Sequence, residues 1–334
     1  MEKESNPLVS ILLPVYNGEK TILRAVRSIL AQTYPHWELV IVNDGSSDRT
    51  LNVINSIKDS KVKTYTIPRS GVAKALNFGV KMARGTYIAR MDADDISLPE
   101  RLKNQVAYLR DHSEIDLVAC QVKHIGAPGR EGYEHYVNWI NQLITSSSIY
   151  LARYQEAPFA HPSVMFRKST FNKYGGYTEE AVPEDFELWL KWLQNGVCMA
   201  KLPEVLLEWY DSPNRLSRIS TNYSHEHFSR IKARYFSQWY RRKNLDRPVW
   251  IFGSGRTVNH RVKPLINYGL SIDRFIDVKP TSHPQFAYYK DVPNAQSNGP
   301  FILSYVSDRI GKMKIKIFLT ERDYLEGQDF LMMV

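Results

Sequence analysis

The chain has 334 residues, 43% of them hydrophobic, and a net charge of +9. That length and apolar content exclude a disordered chain and leave room for two domains, one with a substantial core. No apolar run approaches the roughly 20 residues needed to cross a bilayer, and the opening MEKESNPLVS lacks an apolar signal region; we expect a soluble, cytoplasmic protein, with peripheral membrane contact left open.

Val9-Ser10-Ile11-Leu12-Leu13-Pro14 is a near-continuous apolar strand of the kind buried on both faces of a parallel sheet. Val15 to Gly18 turn the chain, and Leu23, Val26, Ile29 and Leu30 recur at helical spacing. Trp37–Val42 is a second strand. It ends in Asn43-Asp44-Gly45-Ser46-Ser47-Asp48, a turn rich in helix caps, before a helix carrying Leu51, Ile54 and Ile57. Val62–Tyr65 gives a third strand and Val72–Met82 a third helix. A fourth strand, Tyr87-Ile88-Ala89, delivers Asp92, Ala93, Asp94 and Asp95, and Pro99 then opens a helix. Strands and helices alternating at this spacing define an α/β domain with a mainly parallel sheet. Ligands in such sheets bind beyond the carboxyl ends of the strands, where Tyr16, Asp44 and Asp92 fall.

Three carboxylates in four residues repel one another unless a hard cation or hydrogen-bond donors gather them. The plainer reading of such a run is a solvated acidic loop. Further along, Glu184-Asp185 follow Pro183 and precede a helical pattern of Phe186, Leu188, Trp189 and Trp192. Carboxylates are favoured at a helix N-terminus, so this pair is open both to a cap role and to a chemical one. His161 precedes an apolar strand and is open in the same way. Cys120 and Cys198 sit in apolar surroundings and are expected to be buried structural thiols.

The charge is unevenly placed. Residues 217–245 hold Arg218, Arg230, Lys232, Arg234, Arg241, Arg242 and Lys243 against Glu226 alone, whereas residues 1–216 are neutral. Residues 222–244 form a helical pattern with Phe228, Ile231, Tyr235 and Trp239 on one stripe, expected to pack on the preceding domain. A second domain starts near Arg247. Pro248–Phe252 is a strand that leads into Gly253-Ser254-Gly255-Arg256-Thr257, a helix through Val262, Leu265 and Ile266, and a strand over Leu270–Val278. That unit is Rossmann-like, although Val258 replaces the third glycine of the dinucleotide fingerprint. Phe301–Tyr305 and Lys314–Phe318 supply further strands. The expected layout is thus a first domain over 1–216, a basic helical linker over 217–246 and a Rossmann-like domain over 247–334.

The motifs VSILLPVYNGE, SILAQTYPHWELVIVNDGSSDRT, the segment from Gly71 through Asn77 to Gly85, MDADD, HPSVMFRKS, GGY and PEDFELWLK resemble family 2 glycosyltransferases of the GT-A fold, over about residues 7–215. The resemblance implies that Pro14 and Tyr16 form a nucleobase wall, that Asp44 accepts from the base, and that Asp92 lies near the ribose. Asp94 would bind Mn²⁺ or Mg²⁺ at the diphosphate of a UDP-sugar. Asn77 joins the nucleotide-sugar-binding set on the same basis. Asp185, with Glu184 as the alternative, would be the base of a single inverting displacement. Arg215 and Arg218 would close on the diphosphate, or else belong to a solvated hinge. The QxxRW signature of processive synthases is missing, which implies one sugar per encounter, and a saccharide acceptor is favoured. With WINQL and the EGQDFL ending, the chain further resembles a subgroup of bacterial enzymes and animal β-1,3-N-acetylglucosaminyltransferase-like proteins associated with galactosylating queuosine in tRNA, which makes tRNA a second acceptor reading. Two other classes are open: a nucleotide-sensing protein with a vestigial transferase site, and an NAD-dependent oxidoreductase built on GSGRTV, which leaves the first 215 residues unexplained.

Overall fold

The computed structural model describes residues 6–126, 131–211, 215, 218, 220–280 and 282–334. It divides into two compact units: Met1–Ile149, Ala157–Glu180 and Glu184–Ile219 in the first, and Tyr150–Glu156, Ala181–Pro183 and Ser220–Val334 in the second.

The strands of the first unit are β1 (Val9–Val15), β2 (Trp37–Asp44), β3 (Val62–Ile67), β4 (Tyr87–Arg90), β5 (Ile96–Ser97), β6 (Leu117–Ile125), β7 (Met165–Arg167) and β8 (Met199–Tyr210). They form one sheet in the order β3-β2-β1-β4-β7-β6-β8-β5. The pairs β1–β2, β2–β3, β1–β4 and β6–β8 are parallel, whereas β7 runs against β4 and β6, and β5 against β8. The helices are α1 (Ile22–Leu30), α2 (Thr50–Asn55), α3 (Val72–Met82), α4 (Arg101–Asp111), α5 (Glu131–Gln142), α6 (Ser146–Ala152), α7 (Lys168–Tyr174) and α8 (Glu184–Gln194); the last residues of α6 fall in the second unit.

The continuous apolar runs of β1 and β2 are explained by helices on both faces of the sheet. Ile11, Leu13, Leu39 and Ile41 share a core cluster with Ile22, Val26 and Ile29 of α1. The alternate residues meet α3, where a Cβ on Gly79 would lie 3.4 Å from both Leu12 and Val42. Leu12 pairs with Val40 on one side and with Arg90 on the other, so β1, β2 and β4 finish close together.

The second unit has its own sheet, built from β9 (Val249–Phe252), β10 (Ile272–Asp277), β11 (Phe286–Tyr288), β12 (Phe301–Ser304) and β13 (Phe330–Met332). All its pairs are parallel, in the order β11-β10-β9-β12-β13. Its helices are α9 (His225–Arg242), α10 (Arg256–Asn267) and α11 (Arg309–Thr320).

The structure corrects four expectations. Lys314–Phe318 is not a strand. It lies within α11, which Asp308 caps by accepting from Gly311 N at 2.6 Å, and the buried Ile315 and Leu319 recur at helical spacing. An apolar–polar alternation only five residues long fits either period. Cys198 is exposed, whereas Cys120 is buried as expected. Lys232 is not part of a basic surface: it is buried, and its ammonium donates to Gln155 O and Met333 O. The helix that carries it belongs to the second unit, where Phe236, Trp239 and Tyr240 pack around Phe301.

Lys201 is a second buried lysine, on β8, with its ammonium donating to Ile140 O and Pro158 O. Burial pushes its pKa down to about 7. A lysine depressed when folded binds fewer protons than in the unfolded chain between about pH 7 and 10, so stability rises with pH across that window. Lys201→Met should flatten that rise, as read from denaturant midpoints at pH 7 and pH 9.5. An unchanged slope would show that the ammonium is solvated.

Candidate active site

The turn after β1 places Tyr16 at the surface and is stitched to the turn after β2. Asn17, at a positive φ of 52°, donates its N–H to Ser46 Oγ at 2.9 Å and accepts from Ser47 N at 2.9 Å. Gly18 N donates to Thr50 Oγ1 at 2.8 Å. These bonds fix Tyr16 relative to Asp44, the last residue of β2, whose side chain is nearly fully buried.

Asp44 is heavily hydrogen-bonded. Its Oδ1 accepts from Ser70 N at 2.7 Å and Ser70 Oγ at 3.1 Å, and its Oδ2 accepts from Gly71 N at 3.0 Å and from Arg69 Nη1. The Arg69 guanidinium also lies over Tyr16, 3.6 Å from the ring centroid.

Beyond β4, Asp92, Asp94 and Asp95 each bring a carboxylate oxygen within 4.8 Å of the others, and they are the only such cluster among the described residues. Arg90, the last residue of β4, ion-pairs with Asp92 from a position that is 95% buried. Its Nε has no hydrogen-bond partner. Asp95 is buried, accepts from Tyr210 N at 2.8 Å through Oδ1, and leaves Oδ2 without a donor. Burial, and then the charge of Asp92, push Asp94 up to about 6. Burial followed by Asp92 and Asp94 pushes Asp95 well above the usual carboxylate range. Arg24 holds the loop by donating to Asp94 O at 2.6 Å. Three hard oxygen donors, one of them with a buried lone pair and no donor, suit a divalent cation such as Mg²⁺ or Mn²⁺.

Glu184 and Asp185 open α8. Asp185 Oδ1 accepts from Phe186 N at 2.7 Å, and burial raises its pKa. Glu184 is buried with its Oε1 4.0 Å from His161 Nδ1. His161 is buried against Tyr177, with its Nε2 2.9 Å from the phenol oxygen. Burial, then Arg90, pushes the imidazole well below its ordinary pKa, so it is neutral. Arg90 is also among the charges acting on Tyr177, Glu184 and Asp185, so it stands electrostatically between the acidic cluster and the start of α8.

The remaining residues named from sequence are placed as follows. Pro14 is half-buried in β1, one residue before its end. Asn77, on α3, clamps a distant segment: it donates to Tyr177 O at 2.9 Å and accepts from Tyr177 N at 3.0 Å. Arg215 stacks on Trp209, 4.1 Å from the ring centroid, and its charge lowers Asp94. Arg218 pairs with the buried Asp211 at 2.6 Å. The rest of that stretch, and the domain boundary expected at residues 216–217, lie outside the described residues. Sequence reasoning missed Arg69 and Arg90. The signals were available: a basic residue directly before Ser70-Gly71, and another closing a buried strand two residues before the acidic run.

A mainly parallel sheet thus carries an acidic cluster beyond one strand, an aromatic ring beyond a second and a buried carboxylate at the end of a third. Residues 10–175 match the family described as Glycosyl transferase family 2. The chain is 31% identical over 229 residues to the putative glycosyltransferase EpsE of Bacillus subtilis, covering 66% of this chain and 79% of that protein. It is 30% identical to the O-antigen biosynthesis glycosyltransferase WbnJ of Escherichia coli, covering 60% and 79%. It is 27% identical to an E. coli UDP-Gal:alpha-D-GlcNAc-diphosphoundecaprenol beta-1,3-galactosyltransferase, covering 70% and 84%. The chain belongs to glycosyltransferase family 2, and it is a glycosyltransferase. Among solved structures, S. aureus TarS 1–349 in complex with UDP-GlcNAc superposes with a TM-score of 0.53 at 20% identity, covering 78% of this chain and 71% of that one. The Pyrobaculum calidifontis mannosyltransferase PcManGT, in complex with GDP-Man and Mn²⁺, gives 0.51 at 20% identity, covering 80% and 70%. At this identity both likenesses speak for the fold.

The Asn77 clamp yields a prediction. Asn77→Ala removes two hydrogen bonds between segments 100 residues apart and should lower stability by about 1–3 kcal/mol, the range for leaving buried polar groups unpaired. Full stability together with a loss of nucleotide binding would instead assign the amide to the ligand.

Proposed function

We propose that this glycosyltransferase is inverting and metal-dependent, and that it moves one sugar from a UDP-sugar to an acceptor hydroxyl, in the building of a glycan or surface polysaccharide. The observation that carries the reading is the convergence on one sheet end of Tyr16, Asp44 and the cluster of Asp92, Asp94 and Asp95. Tyr16 and Pro14 wall the base, Asp92 lies at the ribose, and Asn77 supports the pocket through Tyr177. The saturation of Asp44 favours uracil. Ser70 fills Oδ1 and Gly71 fills half of Oδ2, so the one acceptor position that backbone and Ser70 leave is the one the Arg69 side chain takes. A base with a single imide N–H fits that position, whereas guanine brings two adjacent donors.

Asp94, with Asp92 and Asp95 beside it, would hold Mn²⁺ or Mg²⁺, which when bound neutralises charge on the diphosphate. Arg215 adds positive charge near Asp94, and Arg218 pairs with Asp211. Asp185, with Glu184 as the alternative, takes the proton of the acceptor hydroxyl as its oxygen attacks the anomeric carbon. The bond from that carbon to the diphosphate oxygen breaks, UDP leaves, and one displacement inverts the centre. A carboxyl raised by burial is a better proton acceptor near neutral pH than a solvated one. His161 is neutral and held by Tyr177, so it positions the pocket. The names of the polymer- and O-antigen-related relatives support a saccharide acceptor.

Asp94→Asn should abolish turnover and weaken UDP binding in Mn²⁺. Asp185→Asn should abolish turnover and leave UDP binding nearly intact, because the base acts on the acceptor. Near-normal turnover in Asp185→Asn would move the base to Glu184.

A second reading, tRNA as acceptor, is favoured by the exposed cations Arg230, Arg241, Arg242 and Lys243 on and just beyond α9. Phosphate contacts release counterions, so affinity would fall by about 0.9 log units per log unit of salt for each phosphate neutralised. Changing Arg241 and Arg242 to Glu would then weaken tRNA binding and leave UDP-sugar hydrolysis unchanged. Sugar transfer to a glycan panel with no label entering total tRNA at low salt would remove this reading.

A further inference from the structure

Arg69 lies just beyond β3, and its backbone is held firmly while its side chain is not. The next two residues donate their N–H groups to Asp44. The turn after β2 presses against it: Gly45 has a φ of +65°, and a Cβ there would come within 2.7 Å of Arg69 N. The side chain, by contrast, is 45% exposed. Its guanidinium covers the ring of Tyr16 and fills the last acceptor position of Asp44. Tyr16 is itself 45% exposed, so Arg69 is the group that covers an aromatic face otherwise open to solvent.

A guanidinium is planar and donates N–H bonds within its plane. A uracil ring stacked on Tyr16, with its imide N–H on Asp44, uses the same ring and the same carboxylate oxygen. Both cannot be there at once. We propose that Arg69 occupies the nucleobase position in the free protein and that the donor's base must displace it from Tyr16 and Asp44 to bind. The proposal rests on the nucleotide-sugar reading above. Only the side chain has to move, since Ser70, Gly71 and Gly45 hold the backbone. Arg69 thereby sets how tightly and how fast a nucleotide binds: apparent affinity is reduced by the fraction of molecules in which the position is free.

The test is the dissociation constant and association rate of UDP with Mn²⁺ for the wild type, Arg69→Ala, Arg69→Lys and Tyr16→Ala. Removing the occupant should tighten UDP by about three- to tenfold, the scale of one cation–π contact and one half-exposed ion pair, and should speed association. Arg69→Lys keeps the charge without the planar fork and should fall between. It also serves as the test if Arg69→Ala fails to fold, which is checked by thermal unfolding without ligand. Weaker or unchanged binding in Arg69→Ala overturns the proposal and makes Arg69 a clamp on the bound base, or a bystander. Tyr16→Ala separates this failure from failure of the underlying reading. If UDP binding is insensitive to Tyr16→Ala, or absent in the wild type, the base position is misassigned and the displacement falls with it. If Tyr16→Ala weakens UDP and Arg69→Ala does too, the base position stands and only the displacement is wrong.

Discussion

Three carboxylates at the end of one buried strand impose the constraint around which the first unit is arranged. Like charges about 4 Å apart near a protein surface repel by about 4 kcal/mol, and Asp92, Asp94 and Asp95 bring oxygens within 4.8 Å of one another. The fold answers in several ways. Arg90 supplies a buried positive charge at the base of the cluster, paired with Asp92. Tyr210 N–H satisfies one oxygen of Asp95, and Arg24 pins the loop through Asp94 O. Arg215 adds charge from the far end of the unit's chain. Burial, and then the repulsion that is left over, raise the proton affinity of Asp94 and Asp95. A group raised in this way binds a proton or a cation more readily than a solvated carboxylate does, which is the property the proposed metal role requires.

Much of this arrangement was legible in the sequence, because it depends on periodicity and on strand ends. The runs at Val9 and Trp37 announce strands covered on both faces, and the structure covers them with α1 and α3. In a parallel sheet the strand ends are also the ligand end, so Tyr16, Asp44 and Asp92 could be grouped without coordinates. The errors have a common origin. Lys314–Phe318 alternates for only five residues, and it took the cap at Asp308 and the spacing of Ile315 and Leu319 to decide for a helix. Lys232 was assigned to a charged surface because sequence reports charge and not burial; three-dimensional packing put two carbonyl oxygens in its reach.

Arg69 and Arg90 were missed for a different reason. Arg69 acts on a partner far away in the chain and Arg90 on one just past its own strand end, and neither belongs to a repeating pattern. Arg90 ends a strand that otherwise looks wholly apolar, and a cation there is tolerable only because Asp92 curls back to meet it. Arg69 becomes interesting only once Tyr16, 53 residues earlier, is seen beneath it. Contacts of this kind are fixed by where the turns after three strands meet.

The two ends of the site are built from different material, and this bears on how each can move. Asp44 and the acidic cluster hang from strands whose neighbours hold them on both sides, so the positions of their carboxylates are set by the sheet. Asp185 instead sits in the first turn of α8, anchored by the N–H of the next residue and by the buried row of Phe186, Leu188, Trp189 and Trp192. Between the two lies a side-chain network, Arg90 with Asp92, His161 with Tyr177, and Asn77 on the Tyr177 backbone. Because Asn77 belongs to α3, the helix packed on β1 and β2, that network ties the Tyr177 segment to the same strands that present Tyr16 and Asp44. α8 is bonded to that segment in turn: Trp192 Nε1 donates to Gly175 O at 2.9 Å and the Lys191 ammonium donates to Gly176 O. A shift of α8 relative to the sheet would have to break these bonds or the Asn77 clamp, which argues that nucleotide entry is accommodated by exposed side chains at the rim and not by movement of the frame.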